Sequence, residues 1–234
     1  NYGVTTVNYN RDVEIFPVLN AMFRQIYGES PYKSPTDMGV NMAGNCITDD
    51  EVCCEASRQE IIRRYYAAMC SARQGMSDSR PAEKIKLLIN QLGITVKDRP
   101  VIDAAVARAE QTGEPAAAIQ LPDGEIVTGK TTKLLGASAA VLLNALKRLG
   151  GIQKDMHLIS PIVIEPIQDL KVNHLGNHNP RLHMDEVLIA LSISAATNPT
   201  AEVAMRQLDK LRGCEAHSTV ILSSVDSSTF RKLG

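Results

Sequence analysis

The chain has 234 residues, with 25 Lys and Arg against 26 Asp and Glu, a formal net charge of −1. That balance excludes a strongly basic nucleic-acid binder and an acidic tail protein. At 44% hydrophobic and 22% charged residues, with no Trp and 3 Phe, the composition is that of a globular core former without an aromatic platform for bases, and no apolar run reaches the roughly 18 residues of a membrane span.

Ile15, Leu19, Met22, Phe23 and Ile26 recur at helical spacing, and Gly28 stops the run. Pro17 lies inside it and predicts a late start or a kink. A polar loop is expected from Ser30 to Asn45. Thr48-Asp49-Asp50-Glu51 has the form of a capping box and opens a long helix through Val52, Ala56, Ile62, Tyr65, Tyr66 and Met69. After a break at Gly75–Ser79, Pro81 sits in a first turn, and Ile85, Leu88, Ile89 and Leu92 share a face up to Gly93. Asp98 is placed to cap a further helix through Val101, Ile102, Ala105, Val106 and Ala109, ending near Gly113.

The period then changes. Ala116–Leu121 and Glu125–Lys130 are short apolar runs joined by Pro122-Asp123-Gly124, a hairpin signal. Gly136–Leu149 reads as a helix and His157–Ile164 as a buried strand. A polar loop covers Gln168–His183, and Met184–Ala196 reads as an apolar helix. Asn198-Pro199 caps the next helix. His217–Ser223 reads as a strand, and Asp226 caps a last helix. The expected order is a mainly helical subdomain, 1–113, followed by an α/β sandwich, 114–234. The overall class is α/β (α+β).

The five cysteines, Cys46, Cys53, Cys54, Cys70 and Cys214, make no disulfide framework and read as reduced thiols of a cytoplasmic protein. Asn1-Tyr2-Gly3 is no signal peptide, and both ends are expected to be cut from something longer.

The most polar stretch runs from Lys171 to His183 and holds His174, His178 and His183, three of the 5 histidines. It precedes a helix start, where N–H groups favour anions. His174, Asn179, Arg181 and His183 are therefore the candidate ligands for a phosphate or carboxylate. As a metal set, the three histidines match no zinc signature, and no metal is expected. Glu215, His217 and Thr219 alternate along a strand and share one face, while Ser218 points away, so they contribute to a pocket rather than forming a triad. Arg11 and Asp37 are candidates for lining a cleft between the two halves. Gly129-Lys130-Thr131 resembles a Walker tail but lacks the preceding glycine, and no cofactor is expected.

The order from the hairpin onward is that of a cytidine-deaminase-like sandwich. Zinc deaminases carry H-x-E at the helix after the hairpin and P-C-x-x-C at a later helix. The corresponding segments here are Gly136-Ala137-Ser138-Ala139 and Pro180-Arg181-Leu182-His183-Met184, without the ligands or the Glu. The chain therefore reads as deaminase-like in topology without zinc.

Four segments carry a family resemblance: Thr6-Val7-Asn8-Tyr9-Asn10-Arg11-Asp12, Ser34-Pro35-Thr36-Asp37-Met38-Gly39-Val40-Asn41, Asn179-Pro180-Arg181-Leu182-His183 and Glu215-Ala216-His217-Ser218-Thr219. In order, they resemble the bacterial family known as domain of unknown function 1846. Members are longer, and the resemblance implies that this chain is the C-terminal portion, without a P-loop-like N-terminal half. It implies a cytosolic protein and supplies no catalytic residue. The expected function is part of an enzyme linked to a nucleotide or another anionic small molecule. The alternative is a structural module that forms a homo-oligomer. Neither nucleic acid nor membrane is an expected partner.

Overall fold

A computed structural model describes residues 9–42 and 49–234. They fall into two compact units divided between Arg99 and Pro100.

The first unit is helical. Helix α1 spans Tyr9–Tyr27 and runs through Pro17, so it starts upstream of the proline rather than after it. Helix α2, Pro35–Met42, lies where a loop was expected. Its signal is Ser34-Pro35: the proline fixes the first helical residue, and Ser34 Oγ accepts from Asp37 N at 3.0 Å. Helix α3, Asp50–Arg73, is capped by Asp49, whose side chain accepts from Val52 N. Thr48 lies outside the described residues. Helix α4, Arg80–Gln91, carries Pro81 in its first turn and buries Ala82 and Leu88. Asp98 does not cap the following helix. It closes a short turn by accepting from Thr95 N at 2.6 Å.

The second unit opens with helix α5, Pro100–Thr112. The change of period placed the boundary near residue 113, but Val101 and Ala105 of α5 pack on Ala118, so this helix belongs with the sheet. Strands β1, Ala116–Gln120, and β2, Ile126–Lys130, form the expected hairpin. Strand β3, Glu215–Ser218, pairs antiparallel with the other edge of β1, giving the order β2-β1-β3. Ala117 and Ile119 face the main core with Val141, Leu142 and Leu146 of helix α6, Ala137–Leu149. Ala118 faces α5, so the small sheet has a helix on each side. Gly129 of β2 allows α6 this close, because a Cβ there would lie 2.2 Å from Val141 N.

Two strand expectations are corrected. His157–Ile164 is not a strand: Leu158 and Ile159 are buried in a loop, and helix α7 begins at Pro161 and ends at Asp169. A short apolar run does not reveal its period, and Ser160-Pro161 is a helix start. The last strand lies at 215–218 rather than 217–223. Ser223, not Asp226, caps helix α10, Ser224–Leu233. Helices α8, Met184–Ala195, and α9, Pro199–Met205, fall where expected. The fold is α+β, with a three-stranded antiparallel sheet among the described residues. No helix there is long and apolar enough to cross a membrane.

Candidate functional site

Backbone bonds tie the strand ends together at one end of the sheet. Thr131 N donates to Pro115 O at 2.8 Å and Thr219 N to Ala116 O at 2.9 Å. Thr219 Oγ1 also accepts from Ala116 N at 3.0 Å, so its hydroxyl extends the sheet. From β2 the chain turns into the start of α6. There Leu182 N donates to Leu134 O at 3.0 Å and Gly136 N to Leu182 O at 3.3 Å. These bonds, with a parallel bridge between Leu135 and Leu182, set the first turn of α6 beside that of α8. Asp226 adds α10: its Oδ1 accepts from Met184 N at 2.9 Å, and its Oδ2 lies 3.3 Å from His183 Nδ1. Three helix starts, each a positive dipole end, thus gather at one place.

A buried ion pair holds this region. Lys171 is 4% exposed in the π turn Leu170–His174 that continues α7. Its Nζ donates to Glu186 Oε2 and to Arg181 O, each at 2.7 Å. Glu186 Oε2 also accepts from His183 N at 2.8 Å, closing the first turn of α8. Asn179 Oδ1 accepts from Arg181 N at 3.1 Å, so the backbone of Arg181 is fixed on both sides. Its side chain is exposed and anchored by a single bond, Nε to Thr132 O at 2.9 Å. The two terminal nitrogens have no protein partner among the described residues.

The remaining candidates lie elsewhere. His174 is exposed and 3.9 Å from Asp169. His178 is also exposed, and no group of three metal-ligating side chains occurs among the described residues. Glu215 and His217 sit opposite Gln120 and Ala118, which places them on the α5 face of the sheet. Directly paired residues share a face, so these two do not join Arg181 and His183. In the first unit Arg11 is exposed on α1, whereas Asp37 is buried and accepts from Lys33 N at 2.7 Å, closing its own turn. Among the described residues Asp12, 1% exposed, has neither carboxylate oxygen hydrogen-bonded, though its Oδ1 lies 3.7 Å from Arg11. A cleft of about 590 Å³ in that unit is lined by Glu14, Arg64, Lys84 and apolar residues of α1 and α4. In the second unit a hollow of about 20 Å³ lies among Ile119, Leu142, Cys214 and Phe230. Neither includes Arg181 or His183.

Among the described residues two thiols are shifted, both upward. Partial burial, then the Asp37 carboxylate, pushes the Cys53 thiol up. Burial, then Asp123 and Glu215, does the same for Cys214. A raised pKa disfavours the reactive thiolate. The residues missed from sequence are Lys171, Glu186 and Asp226. The glutamate three positions after His183 had the spacing of a capping box. The other two carried no local signal.

Residues 1–93 match the profile of "Domain of unknown function DUF1846, N-terminal" and residues 97–234 that of "Domain of unknown function DUF1846, C-terminal". The chain belongs to the DUF1846 family. Both family domains are represented, which corrects the expectation of a C-terminal portion alone. The split between the two profiles falls close to the division between the two compact units. Among DUF1846 relatives, the chain is 55% identical over 233 residues to UPF0371 protein cu0538 of Corynebacterium urealyticum, with 100% of this chain and 47% of that protein covered. It is 58% identical, over the same shares, to UPF0371 protein stu1377 of Streptococcus thermophilus. The chain therefore spans about half the length of these relatives, at 47%.

Proposed function

We propose that the second unit recognises a phosphate- or carboxylate-bearing small molecule, a nucleotide being the leading class, as part of a cytoplasmic enzyme linked to that molecule. The binding position is the joined start of α6 and α8. The observation that supports this reading is Arg181, with Nε held 2.9 Å from Thr132 O and its outer fork turned to solvent beside two helix N-termini. A fork fixed at Nε presents its terminal nitrogens at low entropic cost, and a guanidinium binds carboxylate or phosphate bidentately. N–H groups at the start of α6 add donors to the same anion. His183, oriented through Nδ1 by Asp226, presents Nε2 as a hydrogen-bonding nitrogen.

The reading extends to the fold. In a cytidine-deaminase-like arrangement, the helix after the hairpin and the later P-C-x-x-C helix jointly hold the zinc. The starts of α6 and α8 adjoin here through Leu135 and Leu182, although helix α7 stands where that arrangement has its intervening strand. Arg181 and Met184 stand at the two cysteine positions. On this reading the same position in the chain order serves an anion in place of a metal.

Calorimetric titration with inorganic phosphate and with nucleoside monophosphates tests the proposal. Arg181→Ala is expected to weaken binding by about 1.5–3 kcal/mol, the usual value of a hydrogen bond to a charged group, and to leave ligand-free melting close to wild type. Equal binding by both proteins, or none by the wild type, contradicts it.

A further inference from the structure

The first unit leaves one face of α1 uncovered. Ile15, Val18, Met22 and Ile26 are all solvent-exposed, Val18 at 59% and Ile26 at 64%. At 3.6 residues per turn they fall within an arc of about 80°, so they form a single stripe along the helix. The buried side of α1 is a different one, marked by Asp12 and Phe16. A continuous apolar stripe on a helix, unlike scattered exposed side chains, marks an interaction surface.

We infer that this stripe is the contact between two copies of the chain, packed as an antiparallel pair of α1 helices about a two-fold axis near residue 20. Charge placement selects this occupant and orientation. Arg11 lies in line with the stripe at its N-terminal end, its guanidinium 3.7 Å from Asp12 Oδ1 and its side chain still 57% exposed. Glu29, also exposed, follows the C-terminal end of α1 just beyond Gly28. In the antiparallel pair Ile15 meets Ile26 of the second copy, Val18 meets Met22, and Arg11 meets Glu29. The two-fold axis makes each pairing twice. Arg11 also lies against the carbonyl end of the partner helix, where a cation is favoured. A parallel pair sets Arg11 beside Arg11 and aligns the two helix dipoles, so it is disfavoured.

The contact is one helix long. It is therefore smaller than the roughly 800 Å² per partner of a standard interface, and a reversible dimer is expected.

Sedimentation equilibrium of the 234-residue chain tests the proposal. Wild type is expected to dimerise reversibly at micromolar concentration. Met22→Glu is expected to weaken association at least about 100-fold, because a carboxylate is buried without a partner at two symmetric positions. Arg11→Glu and Glu29→Arg each weaken it about tenfold, and the double exchange restores it to within about threefold. Circular dichroism melts of each variant confirm an intact fold, and because Glu29 lies outside the helix, Glu29→Arg gives a reading independent of α1 stability. A monomer up to about 200 μM, as expected if some other chain covers the stripe, overturns the proposal. Association unchanged by Met22→Glu, or no rescue by the double exchange, also overturns it.

Discussion

Removing Glu186 strands a buried charge. The Lys171 ammonium is 4% exposed and keeps only its bond to Arg181 O once the 2.7 Å bond to Glu186 is gone. Glu186→Ala also releases His183 N, the first turn of α8. Breaking a buried ion pair from one side costs about 3–5 kcal/mol. The Glu186 side chain is 26% exposed, so water reaches the vacated position and the low end, about 3 kcal/mol, applies. At roughly 2–4 °C per kcal/mol for a chain of this size, melting falls by about 6–12 °C. Lys171→Met alone leaves Glu186 near the surface and still bonded to His183 N, so it costs less. The double variant Lys171→Met/Glu186→Gln carries neither charge and is expected to recover most of the loss, because a buried pair replaced on both sides is close to neutral. Urea denaturation of wild type, Lys171→Met, Glu186→Gln and their double variant gives the coupling directly. A double variant that loses the sum of the two single losses refutes the assignment of Lys171 and Glu186 as the pair that holds this region.

Gly129→Ala tests how α6 reaches the sheet: a Cβ 2.2 Å from Val141 N forces strand and helix apart, and denaturation is expected to show a loss of at least about 1–3 kcal/mol. Glu60 gives a pH signature. Burial alone pushes its carboxyl up, but hydrogen bonds from Arg63 and Arg64 outweigh that and hold it below its ordinary 4.5. A lowered folded-state value means stability that is present above about 4.5 and lost as the pH falls through the folded-state value. Urea midpoints measured downward from about pH 5 are expected to fall more steeply in wild type than in Glu60→Gln.

Much of the architecture could be read from local chemistry. The hairpin follows from Pro122-Asp123-Gly124 between two apolar runs, and α8 and α9 from periodicity and the Asn198-Pro199 cap. The misreadings share a cause. At Ser34-Pro35 and Ser160-Pro161 a proline marked a helix start, but polar composition in one case and a run of Ile and Val in the other carried the reading. Helix α5 shares the helical period of the first unit, whereas its burial partner, Ala118, lies downstream. In the candidate site the polar character of Arg181 and His183 was legible. The buried Lys171, the Glu186 that neutralises it and the Asp226 that orients His183 were not, because all three are defined by contacts across 10 to 43 positions of chain. Strand alternation gives Glu215 and His217 a shared face but not which face. The pairing with Gln120 and Ala118 settles that.

The account centres on an anion held between Arg181 and the start of α6. A crystal structure of the protein with inorganic phosphate or a nucleoside monophosphate tests it most directly. The account predicts density within hydrogen-bonding distance, about 2.7–3.2 Å, of the terminal nitrogens of Arg181 and of a first-turn N–H of α6, with His183 Nε2 facing the anion. Ligand bound instead in the cleft by Arg64 and Lys84, with Arg181 still turned to bulk solvent, contradicts it.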